Sequence, residues 1–190
     1  MKTRRTLTLG FFVATMMAME VGPAQAVTSA GPYYAEPSWD QKLDCTATTN
    51  CPRFIVLTNW SSAAVLDRET GLVWEQSPDG TYTYTWSDAR SACANKNIGG
   101  RKGWRLPSFA ELASLVDPNN VDPTFVKAAL PPGHPFTNVQ LDNYWSASSF
   151  ADAPTVAWFV GFRNGFVGPN NKTFTFSVWC VRGGMNADQY

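Results

Sequence analysis

The chain has 190 residues with fifteen Lys plus Arg against fifteen Asp plus Glu, a balance that argues against a nucleic-acid binder, whose phosphate contacts require a basic excess. Eight Trp, twelve Phe and six Tyr, with frequent Gly and Pro and sparse charge, exclude a helical bundle and a disordered tail. Such a composition suits a loop-rich, partly β domain.

Lys2, Arg4 and Arg5 precede an uncharged stretch from Thr6 to Met19, which Glu20, Gly22 and Pro23 close. Ala24-Gln25-Ala26 then sets small side chains where a signal peptidase cuts, so residues 1–26 are expected to be a secretory signal peptide. Its apolar run is shorter than the roughly 20 residues that span a bilayer, and no second run approaches that length, so no membrane span is expected after cleavage. The expected mature protein is exported, periplasmic or extracellular, and carries twelve bases and fourteen acids in one domain.

Residues 27–52 lack periodicity and read as an N-terminal extension ending in a small disulfide loop. Cys45, Cys51, Cys93 and Cys180 all fall in the exported part, and an even count there reads as two disulfides. Three pairings are open. The expected set joins Cys45 to Cys51, close in sequence, and Cys93 to Cys180, tying a helix to the last strand. A Cys-x5-Cys pair with no nearby His departs from zinc spacings, and no cofactor is expected.

From residue 53 to 184 the pattern is that of one domain, with 185–190 as a tail. Phe54 to Leu57 and Ala64 to Asp67 are short apolar runs, Asp67 to Gly71 a turn, and Leu72 to Glu75 a returning strand. Pro78-Asp79-Gly80 reads as a turn before the alternating Thr81 to Thr85. Thr85 caps an expected helix from Trp86 to about Asn97, with Trp86, Ala89 and Cys93 on one buried face and Gly99-Gly100 as its stop. Ser108 and Glu111 form a capping box for a second helix whose apolar face is Leu112, Leu115 and Val116, stopped by Asp117-Pro118. A Pro-rich connection follows, with a helical turn expected from Phe125 to Leu130. Strands are expected at Tyr144 to Ser148, Val156 to Phe162, Phe166-Val167 and Phe174 to Arg182, with a type I′ hairpin at Asn164-Gly165. The class is therefore α+β, with the last third an antiparallel sheet.

Five ordered strings stand out: Thr70-Gly71-Leu72-Val73-Trp74, Thr85-Trp86-Ser87-Asp88-Ala89 leading to Cys93, Gly103-Trp104-Arg105-Leu106-Pro107, Tyr144-Trp145-Ser146-Ala147-Ser148, and Cys180-Val181-Arg182-Gly183-Gly184. Together they resemble the Lcl C-terminal domain family over roughly Arg53 to Gly184. The resemblance implies a C-type-lectin-like fold, similar also to formylglycine-generating enzymes, with two helices packed on twisted antiparallel sheets and long irregular loops. It also implies the Cys93–Cys180 bridge. The namesake module of a collagen-like bacterial adhesin binds sulfated glycosaminoglycans, so the resemblance points to attachment. The Gly-x-y repeats of that adhesin are not found in this sequence.

Catalytic signals are sparse, and the chain is read as a non-catalytic binding module for a glycan or an envelope protein, with an envelope hydrolase or modifying enzyme and a structural or assembly component as the alternative readings. His134, the single histidine, sits in a Pro-rich turn with no Gly-x-Ser-x-Gly string to partner it. Asp117 to Asp122 gathers oxygen ligands for Ca²⁺ but lacks the alternation of an EF-hand, and reads as a turn after a helix. Trp74, Trp86, Trp104, Trp145 and Trp179 sit among apolar neighbours and read as core, and Arg105 and Arg182 as structural hydrogen-bonders. The candidate binding residues are Arg163, Asn164, Asn170, Asn171 and Lys172, flanking the C-terminal hairpin, with Trp158 as the aromatic that faces outward to stack on a sugar. From Trp86 onward nine bases face seven acids, a slight local excess.

Overall fold

The computed structural model describes residues 52–121, 124 and 126–183; Cys45, Cys51, the signal-like segment and the C-terminal tail lie outside the described residues. Among the described residues ten strands and two α-helices follow in chain order: β1 (Phe54–Val56), β2 (Ala64–Asp67), β3 (Val73–Glu75), β4 (Asp79–Tyr84), α1 (Trp86–Ala94), β5 (Trp104–Arg105), α2 (Phe109–Ala113), β6 (Asn143–Phe150), β7 (Ala153–Gly161), β8 (Val167–Asn171), β9 (Phe176–Val178) and β10 (Val181–Arg182). They build an α+β domain of two five-stranded sheets. The first runs β1-β2-β3-β10-β5 and the second β4-β9-β6-β7-β8.

Local chemistry sets the helices. Thr85 Oγ1 accepts the Asp88 N–H at the start of α1, and the expected capping box forms at α2, where Ser108 Oγ accepts the Glu111 N–H and the Glu111 carboxylate accepts the Ser108 N–H. Arg105 adds a bidentate pair to the same carboxylate at 2.6 and 2.7 Å, so strand β5 is locked to the first turn of α2. Both helices are shorter than their periodicity predicts. Helix α1 stops at Ala94, and Gly99 and Gly100, both at positive φ, instead turn the chain back for the Ile98–Arg101 bridge. Residues 126–130 form no helical turn, and Phe125 lies outside the described residues.

The strand and hairpin expectations need four corrections. Asp79 and Gly80 belong to β4 rather than to a turn, because the backbone there pairs with β9 at Asp79 and Val178. The stretch from Phe174 to Arg182 is two strands in two sheets, since the chain leaves the second sheet after Val178 and enters the first at Val181. The last third is also not wholly antiparallel: β6 meets β9 in parallel at Tyr144 and Ser177. At Asn164-Gly165 the loop spans residues 162–166 with only Gly165 at positive φ, so it is not type I′; Gly165 N–H bonds back to Gly161 O.

Two apolar clusters fill the interior. One gathers Trp74, Leu112, Leu115, Phe136, Tyr144, Val160, Phe162, Trp179 and Val181; the other gathers Ala89, Cys93, Trp104, Trp145, Phe159, Phe176, Val178 and Cys180. Trp179 is the hub of the first, with ring centroids of Phe136 at 4.9 Å and Phe162 at 5.2 Å and its indole N–H donated to Glu75 O. In the second, Cys93 and Cys180 form the expected disulfide, both fully buried. It closes a loop across 87 residues, a constraint on the unfolded chain of about 4–5 kcal/mol in the loop-entropy account. Paired serine substitutions at Cys93 and Cys180 are expected to lower unfolding free energy by up to about that amount, read by urea denaturation.

One buried charge pair joins α1 to the first sheet. Lys96 Nζ lies 2.5 Å from Glu75 Oε1, with the Glu75 side chain 8% exposed and the other carboxylate oxygen without a partner among the described residues. Burial pushes the Glu75 carboxyl above its ordinary value of 4.5, and Lys96 offsets this only in part. The folded state therefore holds its proton more tightly than the unfolded chain, so this group's contribution to stability falls as pH rises from 4.5. Glu75→Gln is expected to flatten that decline above pH 4.5, read from urea midpoints across a pH series. Lys96→Met strands the carboxylate and is expected to cost on the order of 2–4 kcal/mol at neutral pH, a loss that the double variant recovers.

Candidate functional site

The structure separates the residues that the sequence grouped. Arg163 and Asn164 sit in the loop between β7 and β8, whereas Asn170, Asn171 and Lys172 lie at the far end of β8, about 13 Å away at ~3.3 Å per residue. Within the second group the side chains diverge. Asn171 is registered opposite Val156 and shares a face with Trp158, while Asn170 is opposite Ala157 and belongs to the other face. Of the aromatics on this ribbon, Phe159 and Phe162 are buried and Trp158 is half-buried.

Lys172 is a brace. Its ammonium donates to Ser149 Oγ at 2.7 Å and to Pro154 O at 2.8 Å and lies 3.9 Å from the Trp86 ring centroid, while its own carbonyl accepts the Trp86 N–H. Burial, with Arg90 nearby, holds its pKa below the ordinary lysine value. The turn between β8 and β9 is thereby tied to the β6–β7 turn and to the start of α1. Asn164 and Asn171 likewise serve their own turns, their side-chain oxygens accepting the N–H groups of Phe166 and Thr173.

Trp86, expected in the core, is half-buried and belongs to a surface feature that sequence reasoning missed. Its indole N–H is fixed on Ser146 O at 2.8 Å, and its ring carries Arg90 at 4.8 Å as well as Lys172. Arg90 in turn lines a cavity of about 520 Å³ between α1 and β5, with Ser87, Ser91, Gly103, Trp104 and Arg105 around it. Beyond Gly103 lies a second aromatic with cations. Trp60 has Arg101 at 5.5 Å and Arg182 at 5.6 Å from its ring, and Arg182 Nε donates to Lys102 O. Gly99 permits this arrangement, because a Cβ there would meet Trp60 Cβ at 2.5 Å.

The groove is electrically one-sided. Between Trp86 and Arg105 the chain carries Arg90, Lys96, Arg101, Lys102 and Arg105 against the single acid Asp88. Lys96 and Arg105 are neutralised by Glu75 and Glu111. Arg90, Arg101, Lys102 and Arg182 form no ion pair among the described residues, and they leave a positive strip flanked by Trp86 and Trp60. Counting charge over this window, rather than over everything after Trp86, is the signal that finds it in the sequence.

Other candidate chemistry lies elsewhere. His134 is half-buried, stacked on Phe136 at 6.0 Å beside a cavity of about 460 Å³, and burial lowers its pKa. Asp117 Oδ1 caps the 3-10 turn Pro118–Asn120 by accepting the Asn119 N–H, and Asp122 lies outside the described residues. Among the described residues no group of three or more His, Cys, Asp or Glu is placed to hold a metal ion, and no helix is long and apolar enough to cross a membrane.

No curated protein matches the chain. The model of the Lcl C-terminal domain matches residues 63–182, a span that contains both helices, the disulfide, and strands β2 to β10. The match covers well over half of the 190 residues, and the chain belongs to the Lcl C-terminal domain family.

Proposed function

We propose that this domain works outside the cytoplasm as a non-catalytic, adhesion-like module that binds an anionic glycan along the groove between α1 and β5. The observation that carries the reading is the strip of cations without carboxylate partners, Arg90, Arg101, Lys102 and Arg182, laid beside two half-buried indoles. Sulfate and carboxylate groups on a polysaccharide match such a strip, because guanidinium forks bind them in two-point contacts. Ser87 and Ser91 add hydroxyls for the sugar rim. The signal-like N-terminus and the buried disulfide support export, since such bridges persist in oxidising compartments.

Support for a binding rather than a catalytic role comes from where the titratable groups are spent. Glu75 and Lys96 are committed to each other, Glu111 to Arg105, and Asp79 to the Tyr84 hydroxyl, so the groove itself is walled by serines, Gly103, Trp104 and small apolar side chains, with Arg90 and the paired Arg105.

Retention on immobilised heparin, compared with desulfated heparin, tests the reading. The expected result is salt-sensitive retention that falls on desulfation and weakens about tenfold in Arg90→Ala, at unchanged melting temperature. Equal retention on both matrices, or an Arg90→Ala variant that binds as tightly as the parent, would overturn it. Lys172→Met is expected to behave oppositely, lowering thermal stability because it unties three segments while leaving Arg90 in place.

A further inference from the structure

We infer that the part of the second sheet left uncovered beyond α2 is a separate ligand site, which stacks an uncharged pyranose ring of a polysaccharide on Trp158. In the β7–β8 register Trp158 pairs with Pro169 and Val156 with Asn171, so these four side chains share one face with Val160. Val160 is buried in one cluster with Leu112 of α2. At the N-terminal end of that helix the rings of Phe109 and Phe150 flank Trp158 at 5.6 and 5.4 Å, with Phe109 40% exposed. The result is a three-ring platform at the open end of the sheet.

Outside the core, the hydrogen-bonding of the described indoles leaves two without an acceptor, Trp60, whose ring is covered by Arg101 and Arg182, and Trp158. Trp86, Trp104, Trp145 and Trp179 donate their N–H groups to the carbonyls of Ser146, Arg101, Tyr84 and Glu75, and the Trp74 N–H is sealed in the core. Trp158 Nε1 donates to nothing among the described residues. Asn171 is exposed and spends only its side-chain oxygen, on Thr173, so its amide N–H groups face solvent on the same side. None of the platform residues is charged, and Lys172, next to Asn171 in the chain, is turned to Trp86 on the opposite face.

These features select the ligand. A pyranose offers a patch of C–H groups to an aromatic face and hydroxyl acceptors at its rim, matching the rings and the two sets of donors. A purely apolar partner would cover the indole and amide N–H groups without pairing them, at a desolvation cost. An anionic ligand gains nothing here. The site lies on the α2 side of the sheet, whereas the cationic groove lies on the α1 side, so the two ligand chemistries are independent.

Affinity electrophoresis of the intact protein through gels containing uncharged polysaccharides (β-1,4-glucan, α-1,4-glucan, xylan or galactomannan) tests this, together with the ¹H–¹⁵N signal of the Trp158 indole. The expected result is retardation by at least one polymer, insensitive to molar salt, with a shift of the Trp158 indole signal. Trp158→Ala is expected to weaken it roughly tenfold, and Arg90→Ala to leave it intact. Absence of retardation across the panel, an unmoved indole signal in the parent protein, or full retardation in a folded Trp158→Ala variant would overturn the inference. The parent indole signal decides the matter even where Trp158→Ala does not fold. Loss of heparin binding with neutral-polymer binding retained would sink only the groove reading, and the reverse outcome only this one.

Discussion

Both sheets depend on four consecutive residues. Val178 and Cys180 point into one apolar cluster, and Trp179 and Val181 into the other, because side chains in extended backbone alternate across it. The same backbone leaves β9 in the second sheet and enters β10 in the first, so these residues are at once the covalent joint between sheets and the wall between two cores. Their neighbours hold the joint in register: the disulfide to Cys93 fixes one side to α1, and the Trp179 indole bond to Glu75 O fixes the other to β3.

Around that joint, long loops are held by polar ties rather than by more sheet. Arg53 grips the fully buried Asp67 through two hydrogen bonds and adds a third to Ser114 O, drawing β1, the turn after β2 and the end of α2 together. Arg105 does the same for β5, α2 and Gly183 O. Buried carboxylates are best compensated where they meet a fork of donors, as Asp67 and Glu111 do. Glu75, which meets Lys96 and the Cys180 backbone but no fork, is the member of the set whose carboxyl burial raises.

What could be read from the sequence was what short range decides. Thr85, Ser108 and Glu111 announce helix starts because a cap needs only neighbours three residues away, and Leu112 and Leu115 fall inward by helical period. The Cys93–Cys180 bridge was one of three open pairings, favoured because it ties a helix to the last strand and implied by the family resemblance. The split of Phe174 to Arg182 into two sheets was not legible, since no local pattern marks where a strand changes partners. Nor was the fate of Lys172: a turn lysine looks solvated until Ser149, Pro154 and Trp86 converge on it from elsewhere. Trp86 misled for the same reason, because its helical spacing to Ala89 and Cys93 said nothing of the cations that hold its ring at the surface. Trp158 is half-buried between Phe109 and Phe150, and the groove at Arg90 emerges only once α1 and β5 are set side by side.

The position of the joint also bears on time. A chain leaving a ribosome or a translocation channel presents both helices and most strands before Trp179 and Cys180 arrive, yet neither core closes without them. Early segments must wait in a loose state with their aromatic faces unfilled, and contacts this distant in sequence form slowly. Local pairs such as β1–β2–β3 lie within residues 54–75, whereas the Cys93–Cys180 bridge and the closure of both cores await the last strands. A chain halted just short of Trp179 carries most of the sequence and lacks the residues that close both cores.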